Sequence, residues 1–242
     1  MGKLKPPKEI LIDNVVIEQI KKHSKRFCID NNKENWVEVM GIFIGKSKKD
    51  IAYIYRAIPM THGTSTDFQF SRDEYVLYAQ IDEALLDSKF TIMGWYHTHP
   101  ARRVFFSQED VVNQLSYQTG NPHAVALVYD PEQDTPPTNL GFDVYQLDDP
   151  DQGQFSNYHS VSFKVLDIKE KEKKELFEKF YFKEEIINEL FAMSKLKDSV
   201  SIKELEEIFY LSNQELEDII NKAMKLNEFH NYKLKNEVIY LK

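Results

Sequence analysis

The stretch Thr91-Ile-Met-Gly-Trp-Tyr-His-Thr-His-Pro100 limits what the chain can build more than any other. Its β-branched and aromatic residues favour an extended strand, and Pro100 ends it because proline cannot donate to a strand ladder. In a strand, residues i and i+2 share one face. His97 and His99 therefore project together, with Thr98 turned away, and both imidazoles can reach one metal ion without distorting the backbone. After Pro100 the chain passes through Ala-Arg-Arg-Val-Phe-Phe106 into Ser107-Gln-Glu-Asp110, a pattern that opens a helix. Asp110 then lies one turn into that helix, near enough to complete a His, His, carboxylate set. Three protein ligands with an open fourth position are the pattern of a catalytic rather than a structural zinc.

Hydrolysis at such a centre also needs a base for the water's proton and a donor for the oxyanion. The run Trp36-Val-Glu-Val-Met-Gly-Ile-Phe-Ile-Gly45 reads as a buried strand with one acid, Glu38, inside it. A buried carboxylate without a partner is costly, and hydrogen bonding to the catalytic water would supply one. Ser107 stands just ahead of Asp110, where its hydroxyl can face the developing oxyanion. Each residue alone has an ordinary explanation. Strand histidines usually pack in cores, Ser107 with Asp110 makes a sufficient helix cap, and Glu38 fits the surface of an edge strand. The combination of an upstream acid, His-x-His-Pro, six residues, Ser, two residues and Asp is far more specific than its parts.

That combination, Glu38 with His97-Thr-His99-Pro100 and Ser107-Gln-Glu-Asp110, resembles the JAMM motif of the MPN+ metalloproteases. The flanking Glu38-Val-Met-Gly-Ile and Gly94-Trp-Tyr-His are similar especially to the proteasome-lid and signalosome deubiquitinating subunits. The resemblance spans roughly residues 10–166. It implies a mixed α/β fold, a deaminase-like sheet flanked by helices, and zinc-dependent cleavage at the C-terminal tail of ubiquitin or a ubiquitin-like modifier. By the same resemblance His97, His99 and Asp110 are the metal ligands, Glu38 is the general base and Ser107 the oxyanion stabiliser. Where the eukaryotic lid enzymes carry a Gly- and Cys-containing loop, this chain has Ala-Arg-Arg-Val-Phe-Phe, so the substrate groove is expected to differ. Arg102, Arg103, Phe105 and Phe106 are its candidate substrate contacts. Residues 64–89 and the loop 148–158 fall where the family carries its two insertions.

The rest of the chain organises around this domain. Asp13 or Asn14 caps a helix running to Phe27, Ile51 to Pro59 pairs with the Glu38 strand across a polar turn, and Glu74 to Leu86 forms a second helix. His123 to Tyr129, Gly141 to Leu147 and His159 to Leu166 complete the strands of the catalytic domain, 9–166. Residues 167–182, dominated by Lys and Glu, read as a charged linker helix. Residues 183–242 change grammar: a helix over 186–193, two capping-box helix starts at Ser201 and Ser212, and a terminal hairpin suggest a C-terminal winged-helix-like module. Eight lysines stand against nine acids from Lys195 onward, and Glu215, Glu217 and Asp218 open the would-be recognition helix. Nucleic acid is thus disfavoured, in keeping with a net charge of −8. Docking to the modifier, to a proteasome, to another MPN protein or to a second copy fits the tail better.

The single cysteine, Cys28, excludes an internal disulfide. No apolar run approaches a membrane span, and MGKLKPPKEI lacks a signal-peptide core, so a cytoplasmic protein is expected. Richness in Lys, Asn and Ile with a two-domain layout points to an archaeal homologue. Two other readings stay open. One is a nucleic-acid- or protein-binding winged-helix adaptor that carries a metal domain, and the other is a small-molecule zinc hydrolase.

Overall fold

The computed structural model describes residues 5–28, 32–62, 72–168, 190, 198–209, 212–225 and 233–240. The chain divides into two compact units, Met1–Lys174 and Glu175–Lys242. The first begins with strand β1 (Glu9–Asp13), which turns directly into helix α1 (Asn14–Phe27). Asp13 makes that turn possible. One carboxylate oxygen accepts from the Val15 amide at 2.9 Å and caps the helix, while the other accepts from Ile168 at 3.0 Å. Both bonds satisfy a carboxylate that is wholly buried.

Strands β2 (Val39–Lys48) and β3 (Ile51–His62) form a hairpin, followed by α2 (Arg72–Leu85), β4 (Thr91–Thr98) and α3 (Gln108–Gly120). Then come β5 (Val125–Thr135), β6 (Asn139–Leu147), a short helical turn (Pro150–Phe155), β7 (Tyr158–Ser160) and β8 (Phe163–Leu166). The strands form one mixed sheet in the order β7-β6-β5-β4-β2-β3-β1-β8. Only Val161 and Ser162 separate β7 from β8, yet those strands are its two edges. Two residues span only about 7 Å, so the sheet curls until its edges nearly meet. Phe142 of β6 and Phe163 of β8 stack across that closure, 5.4 Å between ring centres.

Alternation along the strands divides the core. Ile10, Ile12, Phe43, Ile54, Tyr96 and Leu127 pack with Val16, Ile17 and Ile20 of α1. Trp95, His97 and His99 point the other way, toward α3, in accord with the period of two. Gly94 lets β4 lie close to its parallel neighbour β5. Its φ is 115°, and a Cβ there would meet the Val125 carbonyl oxygen at 1.9 Å.

The second unit contains β9 (Ser199–Ser201), α4 (Ile202–Phe209), α5 (Asn213–Lys225) and the hairpin β10 (Lys233–Lys235) with β11 (Val238–Tyr240). The three strands pair antiparallel in the order β10-β11-β9. Ser212 and Glu215 cap α5 reciprocally, and Ser201 accepts from the Glu204 amide at the start of α4. Most of the expected helix 186–193 and of the linker 167–182 lies outside the described residues, although Leu190 is helical and buried.

The expectations shift in several places. Glu38 precedes β2 rather than lying within the strand, and β5 runs on to Thr135 through the turn-rich segment that starts at Asp130. The expected strand His159 to Leu166 is two strands on opposite edges. β3 runs past the expected end at Pro59 to His62, and residues 63–71 lie outside the described ones.

Candidate metal centre and active site

The site lies where β4 ends, opposite the start of β2 and beside the first turn of α3. In the β2–β4 pairing Met40 stands opposite His97. Continuing that antiparallel register by two residues brings Glu38 level with His99 on the same face. Thr98, turned to the other face, accepts from the Val39 amide at 3.0 Å and ties the residue after Glu38 to β4. Strand pairing alone therefore brings together residues 59 and 61 positions apart in the sequence.

His97 Nε2 and His99 Nε2 approach to 3.0 Å. Asp110 closes the set, with Oδ1 at 3.1 Å from His97 Nε2 and Oδ2 at 3.9 Å from His99 Nε2. All three side chains are buried. Ligands on a tetrahedral zinc with bonds of about 2.0–2.1 Å stand about 3.3 Å apart, so the donor spacing suits such an ion. Protonation suits it as well. Burial, aided by His97, pushes the His99 imidazole down to about 3, leaving it neutral at physiological pH. Burial alone would raise the Asp110 carboxyl, but the His97 ring and the Ser107 amide outweigh it and hold it down at about 2. Neutral imidazole and anionic carboxylate are the forms a metal binds. The group can hold a metal ion.

Two of the three candidate ligands are braced from behind. Trp95 stacks on His97 with ring centres 4.6 Å apart and planes 14° from parallel. Its indole N–H donates at 3.0 Å to Gln114 Oε1 on α3. Asp110 belongs to a complete capping box: its amide donates to Ser107 Oγ at 3.1 Å, and its Oδ2 accepts from the Ser107 amide at 2.7 Å. Ser107 thus fixes the ligand's rotamer, and its own hydroxyl proton remains available to donate.

Between Pro100 and Ser107 the loop takes an unusual path. Ala101 and Arg103 have φ values of 58° and 74°, in the left-handed region. Asp130, at the point where β5 passes the site, holds this path in place. Its Oδ1 accepts from the amides of Ala101 and Glu132, and its Oδ2 from Arg103, at 2.9–3.0 Å. Between those two anchored amides, Arg102 extends its guanidinium to Glu38, with Nη1 2.6 Å from Oε1. The Glu38 side chain is 4% exposed and that of Arg102 36%. Phe105 packs on His99 at 4.3 Å between ring centres, under the Arg102 guanidinium. Phe106 differs from the expectation of a substrate contact. It is 3% exposed, stacked on Tyr145 and edge-on to Tyr158, because the chain turning into α3 directs this ring to the core. Arg103 stays exposed.

Residues 5–123, which include every site residue but Asp130, match the JAB1/Mov34/MPN/PAD-1 ubiquitin protease family. That stretch carries a domain of this family. This MPN domain is 35% identical over 108 residues to AMSH-like ubiquitin thioesterase 1 of Arabidopsis thaliana, covering 44% of the chain and 20% of that protein. It is 35% identical over 97 residues to NAD(+) hydrolase TcpA of a Theionarchaea archaeon, covering 40% of the chain and 28% of that protein. Against COP9 signalosome complex subunit 5 of Kluyveromyces lactis it is 24% identical over 131 residues, covering 53% and 35%. The matched stretch thus spans a fifth to about a third of these relatives' own length. They come from an archaeon, a plant and a yeast, so they do not single out an archaeal source.

Sequence reasoning missed Asp130 and Trp95 as parts of the site. An acid that ends the apolar run His123 to Tyr129 was the available signal for Asp130. The i, i+2 relation to His97 was the signal for Trp95.

Proposed function

We propose that the chain is a zinc-dependent isopeptidase of the JAMM type, cleaving ubiquitin or a ubiquitin-like modifier from conjugates or precursors. The carrying observation is the convergence of His97, His99 and Asp110 on one buried point, with the buried Glu38 brought level with His99 when the β2–β4 register is continued. The AMSH-like relatives, named as ubiquitin thioesterases, support the same reading. Catalysis belongs to 9–166, and 183–242 is a winged-helix-like docking module joined through 167–182.

His97, His99 and Asp110 would hold the ion, which would supply Lewis acidity, lowering the pKa of water from about 15.7 to about 7 and polarising a carbonyl. Glu38 accepts one proton as the water oxygen bonds to the scissile carbonyl carbon. It returns that proton to the departing amine as the C–N bond breaks. The Ser107 hydroxyl donates to the carbonyl oxygen while that oxygen carries negative charge. Its acceptor capacity is already directed at the Asp110 amide, which leaves the proton for this task.

The test is incubation of the zinc-loaded protein with ubiquitin chains and ubiquitin-like fusions, with and without a chelator. Turnover that the chelator removes and zinc restores is expected. Glu38→Gln should lower kcat by about 10²–10⁴-fold while bound zinc stays stoichiometric. Retained turnover in that variant would remove Glu38 from its role.

A further inference from the structure

The Arg102–Glu38 pair poses a chemical problem, because Glu38 Oε1 is occupied by a guanidinium at 2.6 Å. A carboxylate held this way is a poorer proton acceptor, and the guanidinium covers the approach of a water to that oxygen. The contact is not an accident of a loose side chain. The amides of Ala101 and Arg103, on either side of Arg102, are both fixed by the buried Asp130 carboxylate. The Arg102 amide itself donates to the His99 carbonyl at 3.1 Å. Two non-glycine residues are kept at positive φ to aim one arginine at the base.

We propose that Arg102 is an exchangeable cap on Glu38, and that it confers preference for substrates with a carboxylate close to the scissile bond. This inference rests on the isopeptidase reading. A guanidinium leaves one carboxylate readily only for another acceptor of similar strength. A charge-assisted bond is roughly twice as strong as a neutral one, so a backbone carbonyl would draw Arg102 away incompletely. An acidic side chain of the polypeptide substrate makes the exchange nearly even. Arg102 is exposed enough to meet such a group, and Phe105 beneath it offers a surface on which the guanidinium can turn. Once Arg102 has moved, Glu38 Oε1 is open to the water's proton. The substrate thereby frees the base that cleaves it.

The experiment compares wild type, Arg102→Gln and Arg102→Lys on isopeptide substrates carrying Asp or Ala at each position flanking the scissile bond. For wild type, kcat/KM should be about tenfold higher with Asp than with Ala at one of those positions. Arg102→Gln should erase that preference and cleave the Ala substrates at least as fast as wild type, through kcat. Arg102→Lys should retain part of it. Equal slowing of all substrates by Arg102→Gln, or no acid preference in wild type, would overturn the proposal. A second readout is independent of turnover: the 15N guanidinium resonances of Arg102, which Glu38→Gln should shift. An Asp-bearing flanking peptide should shift them and its Ala counterpart should not. If no substrate is cleaved, the isopeptidase reading fails, and the resonances alone decide the cap. Resonances that ignore both Glu38→Gln and the acidic peptide refute it.

Discussion

Gln114 connects the candidate metal centre to the core, and its replacement has consequences that can be worked out bond by bond. It is fully buried. Its Oε1 accepts from the Trp95 indole, and its Nε2 donates to Gln118 Oε1 at 2.9 Å and to the Ala124 carbonyl at 3.0 Å. Gln114→Leu keeps most of the volume and removes all three bonds, but two partners are backed up. Ala124 O still accepts from Gln146, and Gln118 Oε1 still accepts from the Leu147 amide. The lost acceptor of the buried indole N–H dominates, so a destabilisation of about 2 kcal/mol is expected. Gln114→Glu keeps that acceptor but sets a second oxygen against Gln118 Oε1 and Ala124 O. Gln118 cannot turn its amide to help, because both ends are committed to Leu147. A buried carboxylate facing acceptors should cost at least about 3 kcal/mol. Urea unfolding followed by tryptophan fluorescence measures both, since Trp36 and Trp95 are the two tryptophans and both belong to the first unit. With Trp95 less firmly set behind His97, zinc affinity should fall about tenfold in Gln114→Leu. A Gln114→Leu change below about 0.5 kcal/mol, or a Glu variant no worse than Leu, would refute this accounting.

Ser107→Ala should lower stability by about 1 kcal/mol through loss of the cap and lower kcat by about 10²–10³-fold through loss of the oxyanion donor. A stability loss with unchanged kcat, measured on zinc-loaded protein, would leave Ser107 only the capping role. With metal chelated, stability should fall on acidification below about pH 6.5, because the unfolded chain takes up a proton at His99 that the folded site refuses until about 3. The sign follows from the lowered folded-state value, and the slope is at most about 1.4 kcal/mol per pH unit for this group. Urea unfolding at pH 7, 6 and 5 should give a steeper decline for wild type than for His99→Gln; parallel declines would contradict the assignment.

The features legible in the sequence are those whose physics is local. Asp13 ahead of α1, Ser107 ahead of α3 and Ser212 ahead of α5 announce their helices because a cap and its target amide lie within three residues. The period of two places His97 and His99 on one face for the same reason. Features that depend on distant pairing were not legible. Nothing local says that β7 and β8, two residues apart, belong to opposite edges of a curled sheet. Asp130 looks like the start of a turn, and only the parallel β4–β5 pairing carries it beside the loop whose amides it binds. The two phenylalanines of the loop look equivalent, yet adjacent residues face opposite ways, and one is core.

The bracing of the site separates what can vary from what cannot. His97, Asp110 and Glu38 are positioned by the β2–β4 register, by Trp95 on Gln114 and by the Ser107–Asp110 cap, none of which involves a side chain between Ala101 and Phe105. Asp130 holds that loop through backbone amides, so it fixes the path without constraining which side chains travel along it. Arg102 and Phe105 touch Glu38 and His99 without setting the path of the loop, whereas Asp130 cannot change without releasing it. Under the proposed cap, the loop side chains govern access to Glu38, and the frame holds the groups around it.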